Sequence, residues 1–246
     1  GTAVEIDGVR LSTNASLAEM SGVSTRNIAS TSIESVEVVT GVPSAEYGDI
    51  SSGMVRISTR KGRTPYMLVL STNPRTKQMS ASKGFDLGKR RGVLNSNVEY
   101  TQATKNPTSP YTSYSRTGLS LNYQNTFARV LRFDLGMAAN IGGMNSEDDP
   151  DAQAGEWEKA RDNAFRANTS LKWLLNRKAI TNVEFDASVN YADNLSRKHV
   201  YNTTSTSSPA VHATELGYFI ADMLPATYYS TQCIDSKQLD YAANLK

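Results

Sequence analysis

Cysteine is nearly missing from this sequence of 246 residues: Cys233 stands alone, and His199 and His212 are its histidines. One thiol forms no intramolecular disulfide, and with two imidazoles it cannot complete the Cys/His set of a structural zinc site. An excess of one charge is missing too, since 26 basic residues face 24 acidic ones for a formal net charge of +2. The broad basic footprint of a nonspecific nucleic-acid binder is therefore absent. No run approaches the roughly 20 apolar residues of a transmembrane helix. The longest clear one is Tyr66 to Leu70. A Walker or Rossmann glycine loop and a Gly-x-Ser-x-Gly nucleophile elbow are also lacking, so no catalytic residue, cofactor or metal site is assigned and no enzyme is expected. That hydropathy test leaves membrane β-barrels untouched, because their strands alternate and hide the apolar face from any average. The chain opens Gly-Thr-Ala-Val with no leader-like segment, and Leu239 to Lys246 reads as an alternating strand interrupted. A fragment of a longer protein is expected.

What is present, from Tyr66 to Asn194, is period-two patterning, which sends successive side chains to opposite faces of a strand. Leu131, Phe133, Leu135, Met137, Ala139 and Ile141 alternate with Arg132, Asp134, Gly136, Ala138 and Asn140. Val183, Phe185, Ala187, Val189 and Tyr191 alternate with Asn182, Glu184, Asp186, Ser188 and Asn190. The same holds for Leu119 to Gln124, for Phe165 to Leu175 and, less cleanly, for Leu94 to Tyr100. Tyr66, Leu68 and Leu70 suggest a further strand, and Met79, Ala81, Phe85 and Leu87 another, whose stripe Lys83 interrupts.

Connections alternate in length. Gly88 to Gly92, Ala128-Arg129 and Asn176 to Lys178 are short, whereas Gln102 to Ser115, Gly143 to Asp162 and Leu195 to Ser236 are long. Bacterial outer-membrane barrels have this asymmetry, with the short turns in the periplasm; regularly spaced alternating strands also make soluble sandwiches and barrels. The apolar faces of the best strands hold no charge, and Tyr100, Tyr123, Phe127, Trp173 and Tyr191 sit near strand ends where an interfacial girdle would lie. The opposite face carries Arg132, Asp134, Arg166, Lys172, Glu184 and Asp186, more charge than a dry core tolerates unpaired. Water or a polar plug is expected there.

Residues Ile33 to Gly62, IESVEVVTGVPSAEYGDISSGMVRISTRKG, have a strand ending in Thr-Gly, a Pro-x-x-x-Tyr-Gly turn and a final Gly-x-hydrophobic-x-Ile-x-Thr strand. Gly41, Gly48 and Pro43 are turn residues there. This segment resembles the end of the plug domain of TonB-dependent outer-membrane receptors, and Val4 to Val9 (VEIDGV) is similar to an earlier plug strand with its Asp-Gly turn. Ser52 and Arg56 stand where many members have Gly and Asn. The wording of Val42 to Gly53 and Gly62-Arg63-Thr64-Pro65, with Asn73 to Phe85 and Gly217 to Leu224, looks most like Bacteroidetes-type receptors that carry a carboxypeptidase-regulatory-like domain.

The resemblance implies a mainly β protein, with a partial α+β plug at 1–64, whose Glu34, Glu37, Glu46, Asp49 and Arg56 are expected as polar partners of the charged wall face, and, at 65–246, the first seven to eight strands of a large antiparallel transmembrane barrel. It implies import of an unidentified nutrient across the Gram-negative outer membrane, with TonB bound through a segment outside this chain. A surface lipoprotein lid and the lipid bilayer are the other implied partners; nucleic acid is not one. The alternative is a soluble or surface-attached β-rich binding or adhesin module without transport.

Three smaller features remain. Glu147, Asp148, Asp149 and Asp151 offer oxygen ligands to Ca²⁺, but Pro150 and the missing EF-hand spacing favour a solvated loop. His199 and His212 read as solvated residues of a Ser/Thr-rich loop. Lys89-Arg90-Arg91, Arg129 and Arg177-Lys178 share the short-turn end and suit either anionic headgroups or water.

Overall fold

The computed structural model describes residues 3–10, 30–40, 53–88, 90–149, 151, 155–177, 181–203 and 227–245. Gly41, Pro43, Glu46, Tyr47, Gly48, Asp49, Ser52, Lys89, Lys178, His212 and 217–224 lie outside them. Among the described residues no helix is long and apolar enough to cross a membrane.

Two sheets form. The small one contains β1 (Ala3–Ile6), β2 (Val9–Arg10), β3 (Ile33–Val39) and β4 (Met54–Thr59) in the order β2-β1-β4-β3, with β1 parallel to β4 and the other pairs antiparallel. Asp7 and Gly8, at φ 49° and 84°, join β1 to β2; an Asp-Gly pair with both residues left-handed is the hairpin turn whose twist matches its strands. Val4, Ile6 and Ile57 form the buried core of this sheet, with Ile33 and Val55 against it.

The large sheet is an antiparallel wall of eight strands in sequence order: β5 (Met67–Thr72), β6 (Thr76–Asp86), β7 (Val93–Thr104), β8 (Thr112–Phe127), β9 (Leu131–Glu147), β10 (Trp157–Leu174), β11 (Asn182–Asn202) and β12 (Tyr228–Leu245). Its alternation is inside-out. Leu68, Leu70, Val98, Leu119, Met137, Ile141, Phe165, Trp173, Phe185 and Val189 are exposed, while Asn95, Asn97, Glu99, Asn122, Asn140 and Asn190 are buried. A sandwich buries its apolar face, so an apolar exterior and a polar interior exclude that architecture and match a barrel wall. The protein is mainly β, a partial barrel wall with a small sheet on its inner face.

The strands outrun the sequence reading. The expected long connections Gly143 to Asp162 and Leu195 to Ser236 shrink to 148–156 and 203–227, and Gln102 to Ser115 shrinks to 105–111. The added rungs, such as Lys159 opposite Arg197 and Arg161 opposite Leu195, lack an apolar stripe, so nothing in their pattern marks a strand; ladder hydrogen bonds between backbones do not require one. The turns at 88–92, 128–130 and 175–181 share one end, as expected. One more short connection, 73–75, falls at the elaborate end.

Lys83 also finds its reason. Its Nζ lies 3.3 Å from the centroid of the Tyr66 ring and 5.5 Å from that of Phe85, so the cation rests on aromatic faces within the apolar stripe.

Candidate functional site between the small sheet and the wall

The small sheet touches the inner face of the wall through polar groups concentrated at two places. The first centres on Asp7, held in the β1–β2 turn. Its carboxylate accepts hydrogen bonds from Thr59 N (3.0 Å) and Thr59 Oγ1 (2.6 Å), and Lys61 Nζ lies 3.5 Å away. The backbone carbonyl of Asp7 accepts from Asn168 Nδ2 of β10 at 3.0 Å. Asn122 Nδ2 of β8 donates to Thr59 Oγ1 at 3.2 Å. One aspartate thereby fixes both the end of β4 and the seat of the hairpin on the wall. A cavity of about 30 Å³ lies between Asp7, Thr59, Asn122, Arg166 and Asn168, room for a water among polar partners. A larger one of about 500 Å³ opens beside it, lined by Glu5, Asp7, Asn168, Ser170, Asp186 and Asn244.

The segment leaving β4 is fastened next. Asn95 Nδ2 donates to the Gly62 carbonyl (3.2 Å) and to Thr64 Oγ1 (3.0 Å), and Gly84 N donates to the Thr64 carbonyl at 3.1 Å. A Cβ at Gly84 would collide with the backbone of Gly62 and Thr64. Only glycine lets the segment pass this close to β6.

The second place centres on Glu99 of β7, 1% exposed. Its carboxylate accepts from Arg116 Nη2, Gln78 Nε2 and Thr31 Oγ1, each at 3.0 Å. Arg116 and Gln78 belong to the wall, whereas Thr31 lies in a 3-10 turn, Ser30–Ser32, that leads into β3. A buried carboxylate is tolerable when paired and hydrogen-bonded in this way. Asn97 Nδ2 also reaches Thr31 Oγ1, at 3.4 Å.

Of the polar partners expected from the small sheet, Glu46 and Asp49 lie outside the described residues, and the expectation is corrected for Glu34 and Glu37. Wall charges pair along the wall: Lys172 with Glu184 at 3.1 Å and Arg132 with Asp134 at 2.9 Å. Lys172 and Glu184 are direct cross-strand partners, so register brings them together without help from the small sheet. Glu34 and Glu37 are exposed, and Arg56 bridges Glu5 (3.5 Å) and Glu37 (3.1 Å) within its own sheet. The small sheet contributes hydroxyls, a carbonyl and one aspartate instead.

The remaining candidates fall elsewhere. Asp148 and Asp149 cap loop backbone at Glu156 N and Asp151 N, and Glu147 lies 3.5 Å from Lys159. No metal-binding cluster occurs among the described residues. His199 is not in a loop, contrary to expectation. It lies on β11, its ring stacked between Trp157 (5.6 Å) and Tyr229 (5.0 Å), with Nδ1 2.7 Å from Thr231 Oγ1; the extension of the strand placed it there.

Residues 1–55 match the family model described as TonB-dependent Receptor Plug Domain. The matched, plug-like stretch covers β1, β2, β3 and the start of β4, and it includes Asp7 and Thr31. The chain is also similar to the siderophore receptor PiuA from Acinetobacter baumannii, at 13% sequence identity and a TM-score of 0.47, over 99% of this chain and 48% of that one. It thus spans about half the length of that receptor. No curated protein matches the sequence. Of the plug contacts, the Asp-Gly turn was legible beforehand, whereas Thr31 carried no signal, being one hydroxyl in a Ser/Thr-containing stretch.

Proposed function

We propose that this chain is part of a TonB-dependent outer-membrane receptor that imports a nutrient, with the plug at residues 1–64 and the barrel wall from residue 65. The observation that carries the reading is a plug-family sequence seated on the polar inner face of an inside-out sheet. The seat is made of single hydrogen bonds, Asp7 to Asn168, Thr59 to Asn122 and Thr31 to Glu99, rather than a dry apolar core. Such contacts part and re-form at modest cost, since water replaces each partner.

In this reading the substrate binds on the side of the long connections, and TonB acts on the plug through a segment preceding Gly1 to loosen it. The wording of Val42 to Gly53 supports a receptor of Bacteroidetes-type bacteria, where a surface lipoprotein lid is the further partner. Deleting residues 1–64 from the full protein should leave an outer-membrane barrel that passes small solutes but no longer takes up its nutrient in a TonB-dependent way. Retained TonB-dependent uptake after the deletion, or a full protein that stays soluble without detergent, would instead favour a binding module without transport.

A further inference from the structure

Three short connections lie side by side at one end of the wall: 87–92 between β6 and β7, 128–130 between β8 and β9, and 175–181 between β10 and β11. They carry Arg90 and Arg91, Arg129, and Arg177, all exposed. None of the four guanidinium groups forms an ion pair among the described residues. The apolar exterior ends directly below them, at the exposed side chains of Leu87, Phe127 and Trp173. On the barrel reading this is the height at which hydrocarbon gives way to headgroups. The described connections at the opposite end mix signs, Arg75 and Lys105 with Asp148, Asp149, Asp151 and Glu156, so the clustering of arginines belongs to this end.

Backbone conformation adds an independent observation. Arg90 and Arg129 hold φ of 82° and 60°, left-handed conformations that glycine and asparagine adopt at lower cost. The first turn is also pinned from below: the Arg90 carbonyl accepts from Asn125 Nδ2 at 3.1 Å and the Arg91 carbonyl from Tyr123 Oη at 2.9 Å. The turn is thus held by backbone acceptors, and among the described residues no ion pair engages the guanidinium groups. An arginine held at a strained φ, with no ion pair among the described residues, points to an external partner for its side chain.

We propose that this end of the wall binds anionic phospholipid headgroups, with Arg90, Arg91, Arg129 and Arg177 holding lipid phosphates of the adjoining leaflet. The inference rests on the barrel reading. The planar guanidinium fork fits a phosphate with two parallel hydrogen bonds. Each cation near an anionic surface raises the local lipid affinity about fivefold, and four on neighbouring turns form a continuous arc. Anchored headgroups at this rim would fix the height of the barrel while the plug is pulled.

The test uses the full protein reconstituted in phosphatidylcholine bilayers with a trace of spin-labelled phosphatidylglycerol or phosphatidylcholine. Electron spin resonance should show a motionally restricted lipid population that favours phosphatidylglycerol about fivefold at low salt and loses most of that preference in 1 M salt. The variant Arg90→Gly/Arg91→Gln/Arg129→Asn/Arg177→Gln should bring the preference to near parity while melting at the same temperature as the parent or a few degrees higher, because two strained turns are relieved. A restricted population without preference, or an unchanged preference in the variant, overturns the headgroup site and leaves the barrel reading standing. Absence of any restricted population overturns both.

Discussion

Thr31 and Glu99, 68 residues apart in sequence, meet at 3.0 Å between plug and wall, the threonine hydroxyl donating to a carboxylate that Arg116 and Gln78 also hold. When Thr31 withdraws, the carboxylate keeps both wall partners. The contact can therefore open without stranding a buried charge.

Thr31→Val, which removes the hydroxyl and keeps the shape, should cost about 1.5 kcal/mol in the seating of the plug, the low end for a hydrogen bond to a charged group. Hydrogen exchange in Ile33–Val39 of the full protein should speed up roughly tenfold, since 1.4 kcal/mol is a factor of ten. Thr31→Ser should leave it nearly unchanged.

Glu99→Leu is expected to be far more damaging, by about 3 to 5 kcal/mol, because it leaves the Arg116 guanidinium, whose side chain is 10% exposed, buried without its carboxylate. The double variant Glu99→Leu/Arg116→Met should recover most of that loss. Denaturant midpoints for the two single variants and the double one measure the coupling.

Asp7→Ala removes three interactions at once, with Thr59 N, Thr59 Oγ1 and Lys61, and puts a poorly suited residue at φ 49°. A loss of about 2 to 4 kcal/mol is expected. Asp7→Asn keeps the left-handed preference and an acceptor for Thr59, so it should cost about half as much or less by the same denaturation measurement.

Met137→Lys separates membrane wall from soluble sheet. Met137 is 49% exposed at mid-height of the apolar exterior, where a lysine facing lipid costs about 2 to 4 kcal/mol. On a surface facing water the same change falls within about 0.5 kcal/mol. Equilibrium unfolding of the full protein from lipid vesicles should show the larger loss.

Gly84→Ala should displace the segment between β4 and β5, because the new methyl group would occupy the space of the Gly62 and Thr64 backbone. Gly88→Ala meets no atom within 4 Å and bears only the strain of φ 99°, a cost of about 1 kcal/mol. The melting temperature of Gly84→Ala should therefore fall well below that of Gly88→Ala.

Patterning alone determined the wall: strict alternation from Leu131 to Ile141 and from Thr181 to Tyr191 gave β9 and β11 their faces, and Asp7-Gly8 gave the plug hairpin its turn. These signals are local, because the period of a strand and the φ preference of a turn residue belong to the chain itself. The rungs from Trp157 to Asn163 and from Asp193 to Asn202 were illegible, since polar residues on both faces carry no period and only the register of neighbouring strands extends the ladder there. The pairing of polar groups was likewise decided by tertiary structure. Lys172 had Glu184 opposite it by register, so plug residues such as Glu37 were not needed, while Glu99 received Thr31 and Asn168 received the Asp7 carbonyl from 161 residues away. A polar side chain shows in sequence that it requires a partner, but the choice among many chemically equivalent partners depends on distance and angle, which exist only once the sheets have met.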